Sequence, residues 1–95
     1  MDKHDMDAPY VEVFSGAYCG YCQRAKALLE RRGLRYREVD VATAEGRSEM
    51  ASRLPHARTI PQIFIGGRHV GGCEDLERLD AAGRLGLVES QGSLR

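Results

Sequence analysis

The sequence predicts an α/β domain, a four-stranded mixed sheet with helices on both faces, in the order β-α-β-α-β-β-α. Three observations predict it. A β-rich alternating run, Tyr10 to Ser15, passes through Gly16-Ala17-Tyr18 straight into a stretch of helical spacing. A second strand and helix follow, so the first β-α-β reads as a right-handed crossover between parallel strands. Gly66-Gly67 then separates two short strand-like runs, the pattern of an antiparallel hairpin.

The elements follow in order. From Gly20 to Arg32, Tyr21, Ala25, Leu28 and Leu29 recur at helical spacing, and Gly33 supplies the stop. Leu34 to Val39 reads as the second strand, with Leu34, Tyr36 and Glu38 on one face. Thr43 is the expected N-cap of a second helix that ends near Leu54, before Pro55; Gly46 is expected to weaken its first turn. Gln62 to Ile65 reads as a strand covered on both faces, with Ile63 and Ile65 on one and Phe64 on the other. Arg68 to Val70 returns. A last helix runs from about Cys73 to Ala82, with Leu76 and Leu79 inward.

Ninety-five residues predict a single domain, with residues 1–9 as a polar N-terminal tail and 86–95 as a C-terminal tail. Fourteen basic and fourteen acidic residues give a formal net charge of zero. That balance argues against nucleic acid or an anionic membrane as the partner. No apolar stretch is long enough to span a bilayer, and the N-terminus lacks the apolar core of a signal peptide. A cytoplasmic protein with reduced thiols is the expectation. Three cysteines, an odd number, do not suit a secreted disulfide scaffold.

Cys19-Gly20-Tyr21-Cys22 carries the chemistry. Two thiols at a strand-to-helix junction read as a redox pair. The thiolate is the reactive form of cysteine, and the positive end of a helix favours it, so position alone would activate Cys19. Cys22, one turn on, is near enough to attack a mixed disulfide on Cys19. A zinc half-site completed by Cys73 and His69 competes on paper, but no second paired knuckle accompanies it. Cys73 itself reads as a small buried helix-start residue. No histidine is assigned a role, and the arginines flanking Gly33 read as a solvated face.

Three segments together resemble the glutaredoxins of the bacterial single-domain dithiol type, within the thioredoxin-like superfamily. They are Cys19–Cys22 with the helix after it, Thr59-Ile60-Pro61-Gln62-Ile63-Phe64-Ile65, and Gly71-Gly72-Cys73-Glu74-Asp75-Leu76. The resemblance covers roughly Tyr10 to Leu85. It implies a thioredoxin-like fold and a glutathione-dependent thiol–disulfide oxidoreductase acting on glutathionylated and disulfide-containing proteins. Cys19 resembles the nucleophile and Cys22 the resolving cysteine. Tyr21 matches the aromatic beside bound glutathione. Thr59, Ile60 and Pro61 match the segment whose cis-proline exposes a backbone edge, where the Ile60 N–H and C=O would pair with the glutathione backbone. Gly72, Cys73, Glu74 and Asp75 match the turn that holds the γ-glutamyl end, its helix start suiting a carboxylate and Glu74 or Asp75 the ammonium.

Two positions depart from the family pattern. Gly16 stands where a lysine is usual, so Arg24 and Arg58 are candidates for the missing cation. Gly20 stands where the dithiol members usually have proline. Both departures motivate an alternative, a [2Fe–2S] protein in which a cluster bridges a homodimer through Cys19 and glutathione; otherwise a monomer is expected. A thioredoxin indifferent to glutathione is the weaker third reading, because Gly71–Leu76 resembles a glutathione site.

Overall fold

The computed structural model describes residues 10–85; the tails expected at 1–9 and 86–95 lie outside the described residues. Seven elements follow in the expected order: β1 (Val11–Ser15), α1 (Gly20–Arg31), β2 (Tyr36–Asp40), α2 (Ala44–Arg53), β3 (Gln62–Ile65), β4 (Arg68–Gly71) and α3 (Cys73–Ala81). The strands lie in the order β2-β1-β3-β4. β1 pairs in parallel with β2 and antiparallel with β3, and β3 pairs antiparallel with β4. No helix among the described residues is long and apolar enough to cross a membrane.

The central strand β1 is buried along its whole length. On one face Val11, Val13, Ile63 and Ile65 meet Ala25, Leu28 and Leu29 of α1 and Leu76 of α3. On the other, Phe14, Val39 and Phe64 meet Met50 of α2 and Leu54, its C-cap. Burying each large apolar side chain contributes about 1.5–3 kcal/mol. The larger first cluster therefore makes α1 the most firmly seated helix, and α1 carries the cysteine pair. The thinner α2 face is completed by charge. Buried Glu12 accepts hydrogen bonds from Arg37 and Arg53, at 2.8 and 2.9 Å, and the Arg53 guanidinium lies 3.9 Å from the Phe64 ring centre.

Several expectations change on contact with the structure. β2 begins at Tyr36, not Leu34, because the Leu34 N–H returns to the Leu29 carbonyl and the Gly33 N–H to that of Glu30. With Gly33 at φ 71°, this closes α1 as a Schellman cap, and Leu34 belongs to the cap. Tyr10 stays outside the ladder and half-exposed. Thr43 caps α2, its hydroxyl accepting the Gly46 N–H at 2.9 Å. Gly46 is more than a weak spot in that helix. It is buried, and a Cβ there would overlap the Asp40 carbonyl, so only glycine fits. Gly66 and Gly67, at φ 61° and 80°, make the hairpin turn as expected.

Candidate active site

The site assembles where the ends of β1 and β3 meet the first turns of α1 and α3. Cys19 is the N-cap of α1, in extended backbone conformation. Its sulfur accepts the Cys22 N–H at 3.1 Å and lies 3.7 Å from the Ile60 carbonyl oxygen. The two cysteines form a disulfide. Their surroundings differ. Cys19 is partly exposed, while Cys22 is fully buried on the core side of α1. Tyr21, which the resemblance matches to the aromatic beside glutathione, is half-exposed; the helix turn that buries Cys22 sends its neighbour outward.

Ile60–Pro61 is cis, as the sequence led one to expect. Beside it runs a groove of about 370 Å³, lined by Tyr21, Thr59, Ile60, Pro61, Gly72, Cys73, Glu74 and Asp75. Residues from three distant segments thus share one surface next to the Cys19 sulfur. Within it the two acids are unequal. Asp75 accepts the Gly72 N–H at 2.9 Å and pairs with Arg78. The Gly72 N–H, and then Arg78, hold its carboxyl below the usual carboxylate range. Glu74 is exposed and enters no ion pair among the described residues, so it is the acid available to a ligand.

Cys73 is 3% exposed, with its sulfur 3.7 Å from the Glu77 carboxylate. Burial, and then Glu77, push its thiol up. Arg24, a candidate for the missing cation, is committed elsewhere. It forks onto Glu77 at 2.7 Å, tying α1 to α3, and lies 5.2 Å from the Tyr21 ring centre. Arg58 is exposed and makes no ion pair among the described residues. At Gly16 a Cβ would come within 2.9 Å of Ile60 Cδ1, so the side chain of Ile60 fills space that a larger residue 16 would need. Gly20 has no atom within 4 Å of where a Cβ would stand, so its approach is open.

Sequence reasoning passed over Gln62. Its amide nitrogen donates to the Thr59 carbonyl at 3.1 Å and hydroxyl at 3.2 Å, and its oxygen faces His69 Nε2 at 2.7 Å. It buckles the 59–61 segment to the β3–β4 hairpin. The available signal was a polar side chain opening a strand that is otherwise wholly apolar. No three His, Cys, Asp or Glu side chains gather as a metal donor set among the described residues.

The glutaredoxin family model matches residues 11–70. The chain belongs to the glutaredoxin family. Glutaredoxin 3 of Escherichia coli K12 is 46% identical over 76 residues, covering 79% of this chain and 90% of that protein. The solution structure of a Brucella melitensis glutaredoxin superposes with a TM-score of 0.74 at 42% identity, covering 94% of this chain and 95% of that one. A crystal structure of a buckwheat glutaredoxin–glutathione complex superposes with a TM-score of 0.79 at 33% identity, covering 93% and 84%. This glutaredoxin therefore has a thioredoxin-like fold, a redox-active Cys19/Cys22 centre and the activity class of a glutathione-dependent thiol oxidoreductase.

Proposed function

We propose that the protein reduces protein–glutathione mixed disulfides, and protein disulfides, in a reducing cytoplasm, with the groove beside Cys19 holding glutathione. The observation that carries this is the shared surface. A backbone edge at Thr59–Pro61, a helix start at Gly72–Asp75 and an aromatic at Tyr21 line one groove, and Ile60 brings it to the Cys19 sulfur. A tripeptide laid along Ile60 gains strand-like hydrogen bonds. Its terminal carboxylate suits the first turn of α3, and its ammonium suits Glu74.

The reduced Cys19 thiolate attacks the glutathione sulfur of the mixed disulfide. The new Cys19–glutathione bond forms as the old one breaks, and the target sulfur leaves as a thiolate that takes a proton from water. A second glutathione thiolate then attacks the sulfur of the bound glutathione, giving oxidised glutathione and free Cys19. In the dithiol route Cys22 closes onto Cys19 instead. The Cys22 N–H aimed at the Cys19 sulfur favours the charged form, which raises the thiolate fraction and makes Cys19 a better leaving group.

The test is the initial rate of glutathione-dependent reduction of a glutathionylated peptide. Cys22→Ser is expected to keep this reaction and lose reduction of protein disulfides. Loss of both in Cys22→Ser would defeat the glutathione route. For a bridging [2Fe–2S] cluster, Cys19 is the only cysteine of the pair able to reach outward, since Cys22 is fully buried. The uncovered position at Gly20 is what favours that second role. Iron, sulfide and glutathione added anaerobically test it: a brown dimer supports it, and colourless protein rejects it.

A further inference from the structure

The Thr59–Ile60 segment is a ridge between two grooves. Beyond the groove already described lies a second, of about 560 Å³. Met50, Leu54 and Ala57 give it an apolar lining, Arg47 and Arg58 are its charged members, and Thr59 and Ile60 belong to both grooves. The two differ in charge. Glu74 and Asp75 make the first one acidic, whereas the second has two arginines and no acid in its lining. Neither arginine enters an ion pair among the described residues; Arg47 donates only to the Ala42 carbonyl, at 2.7 Å.

We propose that the second groove takes the protein half of the mixed disulfide: the target's own segment around its glutathionylated cysteine, carrying an apolar side chain and a neighbouring carboxylate. This rests on the reading that the first groove holds the glutathionyl half. The two halves are joined sulfur to sulfur, and a disulfide keeps its Cα atoms about 5.5–6 Å apart. With glutathione paired along Ile60, the target chain must emerge beside that residue, over the ridge or over the α1 rim. The α1 rim offers Tyr21 and an Arg24 already held by Glu77. The ridge side offers a concave apolar surface with two cations left for a partner. Exchange then moves only the electron pairs of one disulfide. The Cys19–glutathione bond forms, the glutathione–target bond breaks, and the target thiolate departs along its own groove.

The test uses the full chain and three substrates. Two are glutathionylated peptides of equal length with leucine beside the cysteine, one with flanking aspartates and one with flanking lysines. The third is the mixed disulfide of glutathione and 2-mercaptoethanol, which has no protein half. The wild type is expected to favour the acidic peptide about fivefold in kcat/KM at low salt, a preference that fades as salt is raised. Arg47→Glu reverses that preference. Ala51→Glu, an exposed change in the lining of the same groove, slows the acidic peptide. Neither variant changes the rate on the 2-mercaptoethanol disulfide. Equal rates on both peptides in the wild type, or an Arg47→Glu that slows all three substrates alike, would overturn the proposal while the glutathione reading stands. A wild type that fails on the 2-mercaptoethanol disulfide would instead bring down the glutathione reading, and this proposal with it.

Discussion

The helices α1 and α3 both start at a cysteine, and the two starts behave differently. At α1, Cys19 is the N-cap: its sulfur sits outside the helix, accepts the Cys22 N–H and faces the Ile60 carbonyl at a groove mouth. At α3, Gly72 is the N-cap and Cys73 follows it, with its side chain turned into the core beside Glu77. Gly72 has no side chain with which to accept an N–H; instead its own N–H donates to the Asp75 carboxylate. A helix start favours an anion through its free N–H groups, but only when those groups point at the sulfur. One residue of offset therefore separates a thiol exposed to substrate from one whose ionisation is opposed by burial and a carboxylate.

The largest effect should come from exchanging the two sulfurs for inert groups. Cys19→Ser is expected to lower glutathione-dependent reduction on the order of 10³-fold or more, as losing a nucleophile does. Cys73→Ala is expected to retain kcat within a few-fold, with any loss appearing in KM, since Cys73 lines the groove and supplies no reacting sulfur. A Cys73→Ala protein as dead as Cys19→Ser would collapse the contrast between the two helix starts.

Alkylation reads the same contrast without substrate. In fully reduced protein at pH 7, iodoacetamide should label Cys19 faster than Cys73 on the order of 10²-fold, because a thiolate at a helix start is compared with a buried, uncharged thiol. Cys73 should label appreciably only at a pH above that of an ordinary thiol, the direction in which burial and Glu77 move it. Peptide mapping by mass spectrometry, with time, measures both rates. Equal rates at pH 7 would show that sulfur placement does not govern reactivity here.

Most of this geometry was legible in the chain, and the exceptions share a cause. Period-two and helical spacing marked out β1 and α1, because burial on one or two faces writes that spacing into the sequence, while a cap, a proline and a glycine turn bounded α2 and the β3–β4 hairpin. Cys19, Cys22 and the lining of the groove were legible through residue types at fixed offsets. Side-chain direction at element ends was not. Tyr21 and Cys22 are adjacent apolar residues, and only the angle at which α1 sits on the sheet decides that Cys22 is the buried one. Leu34 looks like strand but serves the helix cap, since the Gly33 turn closes back on Leu29. Gly46 looks like a helix weakness because its neighbour, the Asp40 carbonyl, comes from a preceding strand. Gln62 and Arg24 act through partners seven and fifty-three residues away, which no local pattern encodes.

A finer change separates the two causes at Cys73. Glu77→Gln removes the carboxylate beside the sulfur and frees the Arg24 guanidinium, which already lowers the Cys73 pKa. Both effects favour the thiolate, so alkylation of Cys73 near pH 8 should rise several-fold while Cys19 is unchanged. The rise stays small because burial, the larger cause, is left in place. The lost Arg24–Glu77 pair is surface-exposed and screened by solvent, so urea unfolding is expected to change little. No rise in Cys73 labelling would leave burial as the sole reason for its inertness.

The smallest effect tests the cap that keeps Cys73 out of the N-cap position. Asp75→Ala removes the acceptor of the Gly72 N–H and should cost about 1 kcal/mol at pH 7, as the loss of a helix-start capping group does. Because the folded protein holds the Asp75 carboxyl below its unfolded value, this contribution is full above the ordinary carboxylate range. It disappears as pH falls through the depressed folded value. Urea unfolding of wild type and Asp75→Ala should thus differ most near neutrality and converge in acid. A difference that stays constant with pH would mean that the side chain stabilises α3 by packing rather than by charge, and the two helix starts would then differ in shape alone.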